Sequence, residues 1–206
     1  MRSACAELPC GPITAYGALV PRFLLSTGHE LRPLEESDTD ELYALIDANR
    51  ERLVRWMVWA EGQTPERTLE FIRGAREQMA ADDGFQAAIV GDGRIVGVVG
   101  FHGVDWANRA TSLGYWLAHG EEGRGTMTQA VRALVDHAFA QWRLNRIEIR
   151  ADVENVRSRA LAERLGFRHE GTLRQALRLI DGFHDDAVYG MLAADWPSVA
   201  AGPGAL

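Results

Sequence analysis

The sequence has no lysine: all 22 basic residues are arginines, set against 29 acidic residues for a net charge of −7. A chain that grips nucleic acid needs an excess of positive charge along one face. With that excess missing, a nucleic-acid partner is not expected. Cysteine is almost absent as well. Cys5 and Cys10 are the only two, both in the first ten residues. Five-residue spacing without a nearby histidine pair is not a zinc pattern, and two thiols make no disulfide framework. No metal is therefore expected. Nowhere does an apolar run approach the ~20 residues of a membrane span. The opening "MRSACAELPCGPITAYGALVPRF" carries Pro9, Pro12, Pro21 and Glu7 and has no clean apolar stretch, unlike a secretory signal. These absences read as a soluble, cytoplasmic chain without a membrane partner. There is no internal repeat and no linker long enough to divide the chain. The expected division is a weakly structured extension over 1–21, one domain over 22–197 and a flexible tail over 198–206.

At 47% hydrophobic and 25% charged residues, the chain has the composition of a folded domain. "RFLLS" and "HELRPL" read as short strands. "SDTDELYALIDANRERLVRWM" reads as a helix capped by Ser37 or Asp38, with Leu42, Leu45 and Ile46 on one face. Thr64-Pro65-Glu66 opens a second helix carrying Leu69, Ile72 and Met79. Gly91-Asp92-Gly93 between two apolar runs signals a hairpin. "ATSLGYWLA" is a strand; Met127, Val131, Leu134 and Ala138 then recur at helical spacing. "RIEIRADV" alternates as a strand should. "NVRSRALAERLG" is a short helix, capped by Asn155 and stopped at Gly166. "FRHEGTL" and "DDAVYGML" close as strands. The pattern predicts an α/β (α+β mixed) domain with a mostly antiparallel sheet.

One short stretch carries chemistry. Gly123 and Gly125 stand directly ahead of the helix that begins near Thr126. Glycines there let several N–H groups converge, and a helix start leaves its first amides unpaired with a partial positive charge. The combination cradles an anion such as a pyrophosphate, and Arg124 can add a charge-assisted contact. The same residues also fit an ordinary loop-to-helix turn. There is no Gly-Lys-Ser/Thr, so this is not a P-loop, and the third glycine of a dinucleotide fingerprint is missing.

With its surroundings, the stretch resembles the GNAT superfamily of N-acetyltransferases, and within it the RimJ/RimL type that acetylates protein N-termini. The matching segments are "LRPL", "RWMVWA", "GYWLA", "GRGTMTQAVRALVDHAF", "LNRIEIRADVENVRSRALAERLGF", "EGTLRQA" and "DDAVYGML", in family order from about residue 29 to 196. The resemblance implies a GNAT fold, whose central sheet, mostly antiparallel, splays between flanking helices to admit acetyl-CoA. It implies that backbone groups of Trp116 and Leu117 meet the pantetheine arm. The amides of Gly123, Arg124, Gly125, Thr126, Met127 and Thr128 would hold the pyrophosphate. Asn155 would lie near the cofactor arm and Ser158 beside its sulfur, where a hydroxyl can protonate the departing thiolate. Asn155 and Ser158 also suit plain capping roles. Glu122 stands where the family has Gln or Arg; its carboxylate is expected to point away from the phosphates.

The pattern breaks at the base. Two positions where relatives carry a glutamate are Ser112 and Leu177 here. His102, Glu148 and Asp105 are the substitutes available, each equally at home as a solvated strand residue. His102 has the ordinary pKa best suited to the task. Trp56 and Trp59 can line an acceptor pocket or serve as core or homodimer contacts. The expected activity is acetyl transfer to an amine by direct attack in a ternary complex, preferably onto a ribosomal-type protein N-terminus. A small-molecule amine acceptor and a non-catalytic acyl-CoA sensor are the alternatives.

Overall fold

The computed structural model describes residues 22–197. Cys5, Cys10 and the two terminal segments lie outside the described residues. Eight strands form one sheet in the order β1-β2-β3-β4-β5-β6-β8-β7. They are β1 (Phe23–Leu24), β2 (Glu30–Pro33), β3 (Gln86–Gly91), β4 (Arg94–Asp105), β5 (Ala110–Leu117), β6 (Arg146–Asp152), β7 (Arg168–Leu179) and β8 (Gly182–Leu192). Every neighbouring pair is antiparallel except β5 with β6. That parallel pair is joined by α4 (Thr126–Ala140), because parallel neighbours need a crossover. The remaining helices are α1 (Thr39–Ala48), α2 (Arg50–Val54), α3 (Pro65–Ala80) and α5 (Val156–Arg164). None is long and apolar enough to cross a membrane.

Two cores lie on opposite faces of the sheet. On one, α4 buries Met127, Ala130, Val131, Leu134, Val135 and Ala138 against Val99, Leu113, Ile147, Ile149 and Tyr189. Each fully buried branched side chain contributes about 1.5–3 kcal/mol. On the other, Leu42, Ile46, Leu53 and Ile72 from α1 to α3 cover Ala88, Val98 and Trp116. Strand alternation assigns the rest: Ser112 and Gly114 share the Trp116 face, and Glu148, Arg150 and Asp152 oppose Ile147 and Ile149.

The hairpin expected at Asp92-Gly93 is present, with φ of 50° and 74°, as a two-residue turn of right-handed twist requires. Three local expectations change. The helix read over 37–57 is interrupted at Asn49 (φ −113°, ψ 6°). The Asn49 amide donates to Leu45 O (2.8 Å) and accepts from the His119 N–H (2.7 Å), so it ties the break to the end of β5. Asp38 makes no cap bond to α1. It takes Arg32 (2.7 and 2.8 Å) and the Glu35 N–H (2.8 Å) instead, closing a capping box on the preceding turn. The strand read at "FRHEGTL" also runs on to Leu179. It passes two register shifts, and Gln175 sits at φ 53°. Its mostly exposed residues show no clean alternation.

Candidate active site

The site begins where the parallel pair ends. β5 and β6 are in register from Ala110/Arg146 to Leu113/Ile149, and then both continue unpaired with each other, to Leu117 and Asp152. The sheet therefore opens between Gly114–Leu117 and Arg150–Asp152. The Ala118 N–H donates to Val96 O (2.8 Å). Antiparallel alternation from that bond turns the Trp116 backbone toward Val98 and leaves the Tyr115 and Leu117 backbones facing the opening. Of the two backbones assigned by resemblance, Leu117 thus lies on the opening. Trp116 presents its ring to the α1–α3 face, and Tyr115 is the second backbone on the opening. Arg52 of α2 reaches in and donates to Leu117 O.

Gly123 (φ 78°) and Gly125 (φ 81°) set the loop before α4, and no atom lies within 4 Å of where a Cβ would stand on either. The first bond of α4 runs from the Gln129 N–H to Gly125 O (3.0 Å). The amides of Thr126, Met127 and Thr128 are left to the open side, as any helix start leaves them. Thr126 is buried, and its Oγ1 has no hydrogen-bond partner among the described residues. Arg124 is exposed and lies 3.4 Å from Glu121, while Arg164 of α5 donates to Thr128 Oγ1 (3.3 Å). Glu122 pairs with both Arg52 and Arg157, so two guanidinium groups offset its charge at the loop. An orphaned buried hydroxyl, free helix amides and two open glycines fit a bound pyrophosphate.

α5 brings Asn155 and Ser158 to the same opening. Asn155 Oδ1 accepts from the Ser158 N–H (3.2 Å). The Ser158 hydroxyl lies 3.0 Å from the Tyr115 hydroxyl, so a hydrogen bond joins β5 to α5. Burial, only partly opposed by the Ser158 bond, pushes the Tyr115 pKa up to about 12. The phenol stays protonated and can donate. Tyr115 was not singled out from the sequence, where "GYWLA" gave a strand and, by resemblance, only the Trp116 and Leu117 backbones.

The opposite face is polar. His102 Nδ1 is 3.0 Å from Ser112 Oγ. One edge of the ring is open, but crowding by its neighbours lowers its pKa by favouring the neutral form. Glu148 lines a shallow cavity of about 240 Å³ together with Ser112 and Asp105. Burial raises its pKa, yet Arg150 (2.6 Å) and Arg146 (2.9 Å) prevail and the net shift is downward. A carboxylate held this way is a poor proton acceptor. Asp105 caps Asn108 (2.7 and 2.9 Å) at the surface. Trp59 is exposed, with its ring 6.4 Å from that of Trp116, and Arg55 lies over Trp56 at 4.8 Å. Farther along this face stand three groups that the sequence did not single out: Asp152, His184 and Asp186. Asp186 is 6% exposed, and burial lifts its carboxyl above the ordinary range, aided by Glu148 and Asp152 and opposed by Arg150.

Residues 30–168 match the acetyltransferase (GNAT) domain family. The chain belongs to the GNAT family of acetyltransferases. It is 38% identical over 169 residues to the Bacillus subtilis protein named "Putative ribosomal N-acetyltransferase YdaF", covering 81% of this chain and 92% of the relative. It is 31% identical to the ribosomal-protein-serine acetyltransferase of Escherichia coli, over 80% of this chain and 93% of that one. Among solved structures it is similar to RimL, a ribosomal L7/L12 α-N-protein acetyltransferase in complex with coenzyme A. That match has 28% identity and a TM-score of 0.80, covering 84% of this chain and 98% of RimL. This GNAT enzyme is thus an N-acetyltransferase of the RimJ/RimL kind, with the mixed sheet flanked by helices expected of it.

Proposed function

We propose that this acetyltransferase binds acetyl-CoA in the opening between β5 and β6 and transfers the acetyl group to the α-amine of a protein N-terminus. The observation carrying the reading is the cradle at α4, with its unpaired amides and a buried Thr126 hydroxyl without a partner among the described residues, on a loop linked to the open end of β5 through Glu122, Arg52 and the Leu117 carbonyl. The amides from Gly123 to Thr128 would hold the pyrophosphate, and the Leu117 carbonyl, with the Tyr115 backbone beside it, would meet the pantetheine arm once Arg52 yields that carbonyl. Asn155 fixes the first turn of α5 and so aims Ser158. Ser158, hydrogen-bonded to Tyr115, would give a proton to the leaving sulfur. Transfer is by direct attack of the amine within a ternary complex. A protein acceptor is supported by the names of the relatives, one a ribosomal-protein-serine acetyltransferase and one an α-N-protein acetyltransferase. Chemistry favours an N-terminal or amino-acid-like α-amine over a lysine: an α-amine has a pKa of about 7.7–8.0, so part of it is neutral near pH 7.5, whereas a lysine amine near 10.4 is almost wholly protonated. An enzyme with Ser112 and Leu177 in place of glutamates suits the former. Trp56 and Trp59 would form part of the acceptor wall.

The test is incubation with acetyl-CoA and a mixture of N-terminal peptides, lysine-bearing N-blocked peptides and small amines, following CoA release and product mass. Acetylated peptide N-termini are expected. Acetylation confined to small amines would overturn the acceptor assignment. Acetyl-CoA binding without turnover would make the protein a sensor.

A further inference from the structure

Asp152 closes β6 at the rim of the opening and is tied on both sides. Its Oδ1 accepts from the Glu154 N–H (2.7 Å), which shapes the turn into α5 and hence the placement of Asn155 and Ser158. Its Oδ2 lies 2.7 Å from His184 Nδ1, at ion-pair distance but without the alignment of a directed hydrogen bond. His184 Nε2 is 2.9 Å from Asp181 Oδ1 in the β7–β8 turn. His184 shares its face of β8 with Asp186, beside Glu148 and Arg150 of β6. Across the β7–β8 ladder its partner is Leu177, one of the two positions where the expected glutamate is missing.

Accessibility separates the three groups. The Asp152 side chain is 1% exposed and that of His184 20%, while Asp186 as a residue is 6% exposed. Of the three, only the imidazole is appreciably open to solvent. We infer that His184 is the proton acceptor for the amine, with Asp152 as the buried positioning residue that orients its imidazole. This rests on the acetyl-transfer reading above.

For the accepting form the ring turns so that Nδ1–H lines up with Asp152 Oδ2, and Nε2 is freed from its bond to Asp181 as that 68%-exposed side chain turns to solvent. The amine nitrogen bonds to the acetyl carbon and its proton passes to Nε2. The carbon–sulfur bond breaks with its electron pair on sulfur, which takes a proton from Ser158. Solvent then reprotonates Ser158 and removes the proton from His184, leaving amide and thiol. The base thus stands on the Trp116 face and the acid on the α5 face, one on each side of the opening. The charged groups that bear on the imidazole are Asp152 and Asp181; Asp186, Glu148 and Arg150 share its face of the sheet. Burial lowers its pKa, but Asp152 and Asp181 raise it more, and the net shift is upward from 6.5. The neutral, accepting form therefore gains population as pH rises through that raised value.

The experiment uses a peptide-like acceptor whose amine has a pKa below 6, so that it is neutral throughout and any rising limb belongs to the enzyme. Wild type should show a limb midpoint above 6.5. His184→Gln should abolish the limb and lower kcat/KM about a hundredfold, the low end for a general base, while acetyl-CoA affinity by calorimetry changes less than twofold. Asp152→Asn should keep a limb but move its midpoint to lower pH, an effect a merely structural residue would not give. A limb that survives unchanged in His184→Gln overturns the assignment while leaving acetyl transfer intact. Absence of turnover in wild type with every acceptor overturns both readings.

Discussion

The two faces of the sheet are built on different terms. Under α4 and α5 the face is apolar, and what chemistry it has comes from a helix end: backbone amides, a buried threonine and Ser158. The face beyond Trp116, over β6 and β8, is charged, and its groups come from separate strands that meet only by register. The first kind of site is written in consecutive residues. The second exists only after the sheet has formed.

That contrast can be broken in four places. The largest effect should come from the apolar face: Leu134→Ala empties a fully buried position and should cost about 2–5 kcal/mol in urea denaturation. A loss below 1 kcal/mol would mean that α4 is not the main support of the cradle. Next, Ser158→Ala should lower kcat about a hundredfold at near-normal acetyl-CoA affinity if the hydroxyl acts in the transition state. Lost affinity with kcat preserved would make it an anchoring residue. Third, Gly125→Val puts a β-branched residue at φ 81°, where such residues are strained, and fills the space open to phosphate. Acetyl-CoA affinity should fall at least tenfold, about 1.4 kcal/mol, with the circular dichroism spectrum unchanged. Unaltered calorimetry would remove the loop from the cofactor site. Smallest, His102→Ala should change kcat/KM less than threefold and leave the pH limb in place, since the His102 ring hydrogen-bonds only Ser112 among the described residues. Loss of the limb in that variant would transfer the base role from His184 to His102.

The same contrast explains what the sequence revealed. Gly123, Gly125, Asn155 and Ser158 could be read because caps and turns are local, and the hairpin at Asp92-Gly93 for the same reason. The helix break at Asn49 could not, because its cause is a bond to His119, seventy residues away. The two arginines on Glu122 come from α2 and α5, so the sequence showed the acidic residue without its compensation. Asp152 and His184 are separated by 32 residues and joined only by pairing of β6 with β8. The one local hint was the run "DGFHDD", a histidine set among three aspartates.

Arg52 gives the enzyme one further property. It stands on α2, yet it bonds to Leu117 O on the opening and to Glu122 in the loop before α4, and Glu122 bonds in turn to Arg157, the neighbour of Ser158. A substrate that draws on any member of this chain alters the charge balance felt by the rest. Thermodynamic linkage makes that influence mutual: whatever factor the acetyl donor imposes on affinity for the acceptor, the acceptor imposes on the donor. Any coupling between the two substrates along this chain would pass through the Arg52 guanidinium and its partner Glu122.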